Sequence, residues 1–183
     1  MMDRKPTSAE LMDDLPPMGL LGSQAPACKP TSAAASHHPA PAQPAGANVP
    51  AKPLEVREII VRTGRLVCEV VVANPRLRTT TPELIERVSR DHPHLAQHAC
   101  VNAEGPLFGA VMDHTSLPHL LEHVAIDLQT QASSDPAAVF VGTTEWLDRA
   151  AGVARIQLSF ADDLEGLRAF RDSVEYLNSI VLP

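Results

Sequence analysis

The sequence has few cysteines, few aromatic residues and no long apolar run, and each shortage excludes a class of protein. Its three cysteines, Cys28, Cys68 and Cys100, are far apart and form no CxxC pair, which excludes a cysteine-rich zinc site. No apolar run reaches the roughly 20 residues that cross a membrane. The N-terminus also has no apolar signal segment. We therefore expect a cytoplasmic protein with reduced thiols.

Basic residues are also scarce, with 15 Lys and Arg against 22 Asp and Glu and a net charge of −7. No predicted helix carries a cluster of Lys or Arg, so we expect neither nucleic acid nor a membrane surface as a partner. The sequence does not decide the oligomeric state, and a homo-oligomer stays open.

The first part of the chain differs in composition from the rest. Residues 1–52 are rich in Pro, Ala, Ser and Gly, and such a segment buries too little apolar area to offset its ordering entropy. Aliphatic residues recur from Pro53 onward, over about 130 residues that suffice for one domain. The sequence predicts a disordered leader at 1–52 and a folded domain at 53–183.

Hydrophobic periodicity and turn residues predict the elements of that domain. Gly64 separates two alternating stretches in a hairpin. Thr81, then Thr115 or Ser116, and finally Asp162-Asp163 precede the three helical patterns as candidate caps. Their order predicts an α+β domain with helices packed on a mostly antiparallel sheet. The predicted strands are 54–63, 66–73, 138–141 and 153–160, and the predicted helices are 82–92, 117–131 and 164–180.

The helix predicted at 117–131 has a leucine-rich face and a polar face. We expect Leu120, Leu121, Val124 and Leu128 to face the core. The opposite side carries four polar residues, which we expect to project into one cleft: His119, Glu122, His123 and Asp127.

The order His-x-x-Glu-His in this helix is that of inverted zinc peptidases. Two imidazoles four residues apart can both reach one zinc ion. Glu122 lies beside that position, where it can accept a proton from a water activated by the metal. The pattern predicts His119 and His123 as zinc ligands and Glu122 as the catalytic base.

The pattern leaves the third zinc ligand open. Asp127 follows His123 by four residues and is the first candidate, although a short side chain so far along the helix reaches His119 poorly. Cys100 has no basic neighbour, so we expect it to be buried as a small hydrophobic residue. The alternatives from other parts of the chain are His98, His114, Glu145 and Asp148.

The segment His119–Gln131, HLLEHVAIDLQTQ, resembles a helix in the N-terminal domain of cyanophycin synthetases. The resemblance covers about Leu54 to Val181. It includes three further features in the same order: His98-Ala-Cys100, Val141-Gly142-Thr143, and the last strand with its following helix.

The resemblance implies an α+β domain that binds cyanophycin, a polyaspartate backbone carrying arginine on its side chains. In some members this domain is similar to a zinc metallopeptidase, with His119, His123 and Glu122 at the motif positions. The family usually has Glu in place of Asp127 and Arg in place of Thr144. Because the sequence ends at Pro183, without the ATP-using domains, we do not expect the synthetase itself.

Two functional hypotheses follow. The first is a zinc-dependent amide hydrolase that cuts cyanophycin-like peptides with His119, Glu122, His123 and Asp127. The second is a non-catalytic binding or scaffold module that recruits a polymer or a synthetase.

Limited proteolysis tests the predicted domain boundary. We expect residues 1–52 to be removed while a stable core beginning near Pro53 survives, because the apolar alternation starts at Leu54. Mass spectrometry of the fragments checks this, and protection of residues 20–45 would contradict it.

Overall fold

The computed structural model describes residues 52–181, so the predicted leader lies outside the described residues except for Lys52. The described part contains four strands and three α-helices. The strands are β1 (Glu55–Arg62), β2 (Arg65–Val71), β3 (Gly142–Asp148) and β4 (Val153–Ser159), and the helices are α1 (Pro82–Asp91), α2 (Leu117–Ala132) and α3 (Asp163–Ile180).

The strands form one antiparallel sheet in the order β1-β2-β4-β3, which confirms the predicted α+β class. Gly64, with φ +71°, makes the predicted β1–β2 turn. Helix α2 packs against α3, β3 and β4. The topology leaves β3 at one edge of the sheet, beside α2.

The predicted helix starts are confirmed by their capping bonds. The Thr81 side chain accepts from the backbone N–H of Leu84, and the Asp162 side chain accepts from that of Glu165. Ser116 caps α2 through the N–H of His119. These bonds satisfy donors that a helix leaves unpaired at its first turn. Among residues 52–181, no helix combines the length and apolarity that spanning a membrane requires.

The core lies between the sheet and helices α2 and α3. Leu120, Leu121 and Val124 of α2 are fully buried, as predicted, whereas Leu128 is only half-buried. The side opposite these leucines is buried as well, since Glu122 and His123 are also buried. Helix α2 is therefore enclosed on nearly all sides, and its polar groups need partners inside the protein.

The strand predicted at 138–141 is wrong. This segment has no regular structure, and Val139 and Val141 are 82% and 62% exposed. The strand begins only at Gly142, where the sequence indicated a break. A short apolar run is typical of a buried strand, but here the run borders a cleft.

Two glycines with positive φ allow the cost of backbone strain to be distinguished from the cost of a steric clash when each is replaced by alanine. Gly64→Ala places a Cβ in open space, whereas the Cβ of Gly152→Ala would clash with the Val72 carbonyl oxygen. Both changes add left-handed strain of about 1–2 kcal/mol. We expect Gly152→Ala to lower the free energy of unfolding by about 1–3 kcal/mol more than Gly64→Ala. Urea denaturation of both variants measures the difference, and equal losses would contradict the contact.

Candidate metal centre

A loop before α2 brings Cys100 to the helix. The backbone N–H of Cys100 donates to Pro106 O at 3.0 Å, and that of Phe108 donates to His98 O at 2.8 Å. The Asn102 side chain accepts from two backbone N–H groups at the loop tip, as Asn does in tight turns. These bonds fix the loop, and with it the Cys100 thiol above α2.

Three potential metal ligands converge between this loop and α2. His119 Nε2 lies 3.4 Å from Cys100 Sγ and 3.2 Å from His123 Nε2. The three ligand atoms all lie within 4.8 Å of one another. Thiolate and imidazole are the ligands that zinc prefers, and three protein ligands leave one coordination position open. The donor set fits a zinc ion.

The other ring nitrogen of each histidine already has a partner. His119 Nδ1 lies 2.8 Å from the Thr115 hydroxyl, and His123 Nδ1 lies 3.4 Å from His98 Nδ1. Phe108 stacks on the His123 ring at a centroid distance of 3.8 Å. Such partners orient a metal-binding imidazole and select its tautomer. Both Nε2 atoms are thereby left to face the metal position.

Burial keeps the two imidazoles in their neutral form. It lowers the pKa of His119 and, with the nearby His119 and His98 rings, lowers the pKa of His123 to about 3. Neutral imidazole is the form that binds a metal ion. The pair therefore does not lose a proton on binding at neutral pH.

Glu122 lies beside this cluster with its carboxylate tightly enclosed. It is 4% exposed, and Oε2 accepts a hydrogen bond from the Thr144 hydroxyl at 2.5 Å. Burial raises the pKa of Glu122 to about 7, against the opposing effect of the Thr144 bond. A Cβ at position 142 would lie 2.7 Å from Oε1, so only glycine lets the start of β3 pass over the carboxylate.

The cluster opens into a cleft of about 1190 Å³. It is lined by α2, by the loop around Cys100 and by the segment from Ala138 to Trp146. The residues of α2 that line it include His119, Glu122 and His123. The prediction that these three share a cleft is confirmed. Asp127, which was predicted to join them, is not among the lining residues.

Asp127 instead belongs to a buried network behind the cleft. Its Oδ2 accepts from His92 Nδ1 and Gln131 Nε2, both at 2.6 Å, and Oδ1 lies 3.5 Å from His98 Nε2. Burial opposes ionisation, but the His92 and His98 contacts outweigh it and hold the pKa of Asp127 well below its usual range. The carboxylate is already engaged by other side chains.

The remaining candidate ligands lie in other surroundings. His114 is exposed and pairs with Asp113 and Glu104, while Glu145 is exposed and pairs with Arg155. Asp148 accepts the backbone N–H of Ala151 in the β3–β4 turn. None of these three belongs to the described cluster of metal-ligating atoms.

Cys100 is the site residue that the sequence analysis missed. It was expected to be a buried hydrophobic residue, but it is half-buried and lines the cleft with its thiol toward His119. The local sequence signal is the turn at Asn102 and Gly105, which folds the chain back next to α2. That signal predicts a turn but not what the turn faces.

Comparison with known proteins identifies one family. The family model described as the cyanophycin synthase-like N-terminal domain matches residues 68–182. No curated protein sequence matches the chain.

The Asp127 network gives a stability prediction with a defined pH dependence. We expect Asp127→Asn to lower the free energy of unfolding at neutral pH by about 1.5–3 kcal/mol, because it removes a buried charged acceptor. The ionised carboxylate stabilises the fold at pH values above the ordinary pKa of an aspartate. This contribution is lost as the pH falls toward the lowered pKa that Asp127 has in the folded state. The gap between wild type and variant should therefore narrow below about pH 4.

Asp113→Asn is the matched control, since it removes the acid of an exposed Asp–His pair. Thermal unfolding across this pH range compares the two variants. An Asp127→Asn midpoint as close to wild type as that of Asp113→Asn would contradict the prediction.

Proposed function

The chain belongs to the cyanophycin synthase-like N-terminal domain family, and we propose that it is a zinc-dependent amide hydrolase acting on cyanophycin-like peptides. One observation carries the proposal. Cys100, His119 and His123 offer three converging ligand atoms, and a buried carboxylate on the same helix lines the same cleft.

In this proposal Cys100, His119 and His123 hold the zinc, and Asp127 does not. When bound, zinc supplies a Lewis acid for the amide carbonyl and lowers the pKa of water. The fixed Cys100 loop and the Nδ1 partners of the two histidines hold these ligands in place. The preformed cluster reduces the ordering that metal binding requires.

Glu122 is the general base and then the general acid. It accepts the proton of the attacking water and passes it to the leaving amine. The Thr144 hydroxyl fixes one carboxylate oxygen, so the other is the atom that exchanges the proton. Burial raises the pKa of this carboxyl above that of an exposed glutamate, which favours its holding the proton until the amine leaves.

His98 and Asp127 act indirectly, by orienting His123. With its proton on Nε2, directed toward Asp127 Oδ1, His98 accepts at Nδ1 from the Nδ1–H of His123. This directs the Nε2 lone pair of His123 to the metal position. The role explains why Asp127 lies on the same helix but outside the cleft.

The substrate class rests on the family and on the cleft. The family resemblance implies a polyaspartate backbone bearing arginine, and the cleft has room for several residues of such a chain. A binding module without catalysis is the alternative in which the same cleft only holds the polymer.

Two substitutions separate metal binding from chemistry. We expect Glu122→Gln to keep the zinc but to lower turnover by about 10²–10⁴, because an amide cannot accept the proton. Cys100→Ala should lose the metal, since two histidines alone hold zinc weakly. Zinc content and cleavage of an arginine-bearing aspartate polymer are measured for both.

Cys68→Ala is the control, because it removes a buried thiol outside the site. Wild-type zinc content in Cys100→Ala would contradict the metal assignment. Wild-type turnover in Glu122→Gln would contradict the role of Glu122 as the base. A zinc-loaded wild type that binds the polymer without cutting it would favour the binding module.

The Cys100–His119 contact favours a second chemistry that the same experiment can separate. A thiol 3.4 Å from an imidazole whose other nitrogen contacts Thr115 is also the arrangement of a cysteine nucleophile and its base. Activity that survives metal chelation but is abolished by alkylation of Cys100 would support this thiol mechanism.

A further inference from the structure

The free edge of β3 has main-chain groups available for another strand. Ser159 donates its backbone N–H to Val141 O at 2.8 Å, which sets the hydrogen-bonding register of this pair of strands. Hydrogen-bonded and non-bonded pairs alternate along antiparallel strands. Thr143 and Glu145 therefore point their main-chain groups at β4, whereas the main-chain groups of the alternate residues point outward.

The outward-pointing residues are Gly142, Thr144 and Trp146, and all three line the cleft together with Thr143. Within residues 52–181, no strand pairs with β3 on that side. The loop that carries Cys100 and helix α2 line the same cleft. The cleft thus runs along an unpaired strand edge.

We propose that the polypeptide substrate binds in an extended conformation as an additional strand on the free edge of β3. An unpaired edge is a template for a peptide strand, whose main-chain hydrogen bonds supply affinity without reading side chains. This inference rests on the proposed function for the identity of the substrate, and on the strand register for its mode of binding.

The position of Gly142 connects this edge to the reaction. The start of β3 passes directly over the Glu122 carboxylate, because no side chain intervenes at position 142. A strand paired with Gly142 and Thr144 therefore runs past Glu122 and the three metal-ligating side chains. From Gly142 to Trp146 the edge extends about 13 Å, the length of four to five extended residues.

The mode of binding predicts what the cleft recognises. A strand on this edge presents its amide groups to β3 and its alternate side chains to the cleft and to solvent. A polyaspartate backbone fits this requirement whatever its side chains carry, provided that its amides are unsubstituted. The exposed Val139 and Val141, just before β3, extend the apolar wall along the same path.

Amide hydrogen exchange by NMR tests the proposal directly. The probe is a synthetic arginine-bearing aspartate oligomer of about eight residues, added to zinc-supplemented Glu122→Gln so that it is not cut. We expect exchange at the N–H groups of Gly142, Thr144 and Trp146 to slow by about tenfold or more. Thr143 and Glu145 are internal controls, because their N–H groups already face β4.

A second measurement varies the ligand and uses wild-type protein without zinc, so that no variant has to fold and the oligomer is not cut. Alternate amides of the oligomer can be N-methylated in two patterns, on the odd-numbered or on the even-numbered residues. One pattern should weaken binding by about two- to tenfold per lost hydrogen bond, and the other should weaken it little. The proposal would be overturned by equal binding of the two N-methylated oligomers, by unchanged exchange at the three edge amides, or by no binding of the oligomer.

The outcome is separable from that of the hydrolase. Protection of the three edge amides in a protein that holds no zinc and cuts nothing would sustain the added strand and reject the hydrolase. Cleavage by the wild type with no protection at the edge would reject the added strand and sustain the hydrolase.

Discussion

The structure depends on one constraint, the burial of the polar side of helix α2. Glu122, His123 and Asp127 are each at most 4% exposed, and an unpaired buried polar group costs several kcal/mol. Their partners come from three other parts of the chain: Thr144 on β3, His98 on the Cys100 loop, and His92 after α1. Among the buried side-chain nitrogen and oxygen atoms of residues 52–181, only Gln129 Nε2 has no hydrogen-bond partner. The helix therefore constrains the positions of β3, the Cys100 loop and the end of α1.

This constraint explains which features could be predicted from the sequence. Caps such as Thr81, Ser116 and Asp162 and the leucines of α2 act within a few residues, so periodicity and capping rules locate the helices and the inward face. The pairing of His119 with His123 is local for the same reason. Cys100 could not be assigned from spacing, because its role depends on how a separate loop folds over α2. The strand prediction for 138–141 failed for a similar reason, because an apolar run does not reveal whether it faces a core or a cleft.

Asp127 shows how a polar pattern on one helix suggests a different role from the contacts that the whole fold gives the residue. On an isolated helix it shares a side with His119 and His123, which suggested a ligand. In the fold, His92 and Gln131 hold its carboxylate, and its other oxygen faces His98. The same contacts satisfy a buried charge and orient a candidate metal ligand, His123. Asp127 can thereby affect metal binding without contacting the metal.

Strand β3 takes part both in the proposed chemistry and in the proposed binding of the substrate. The Thr144 side chain, which faces α2, donates a hydrogen bond from an uncharged hydroxyl to the Glu122 carboxylate. The outward main-chain groups of the same residues form the unpaired edge. An exposed edge beside apolar side chains such as Val139 and Val141 favours self-association. Covering that edge or adding charge to it would reduce this tendency but would also close the cleft, so an open edge is consistent with a surface kept for a transient strand.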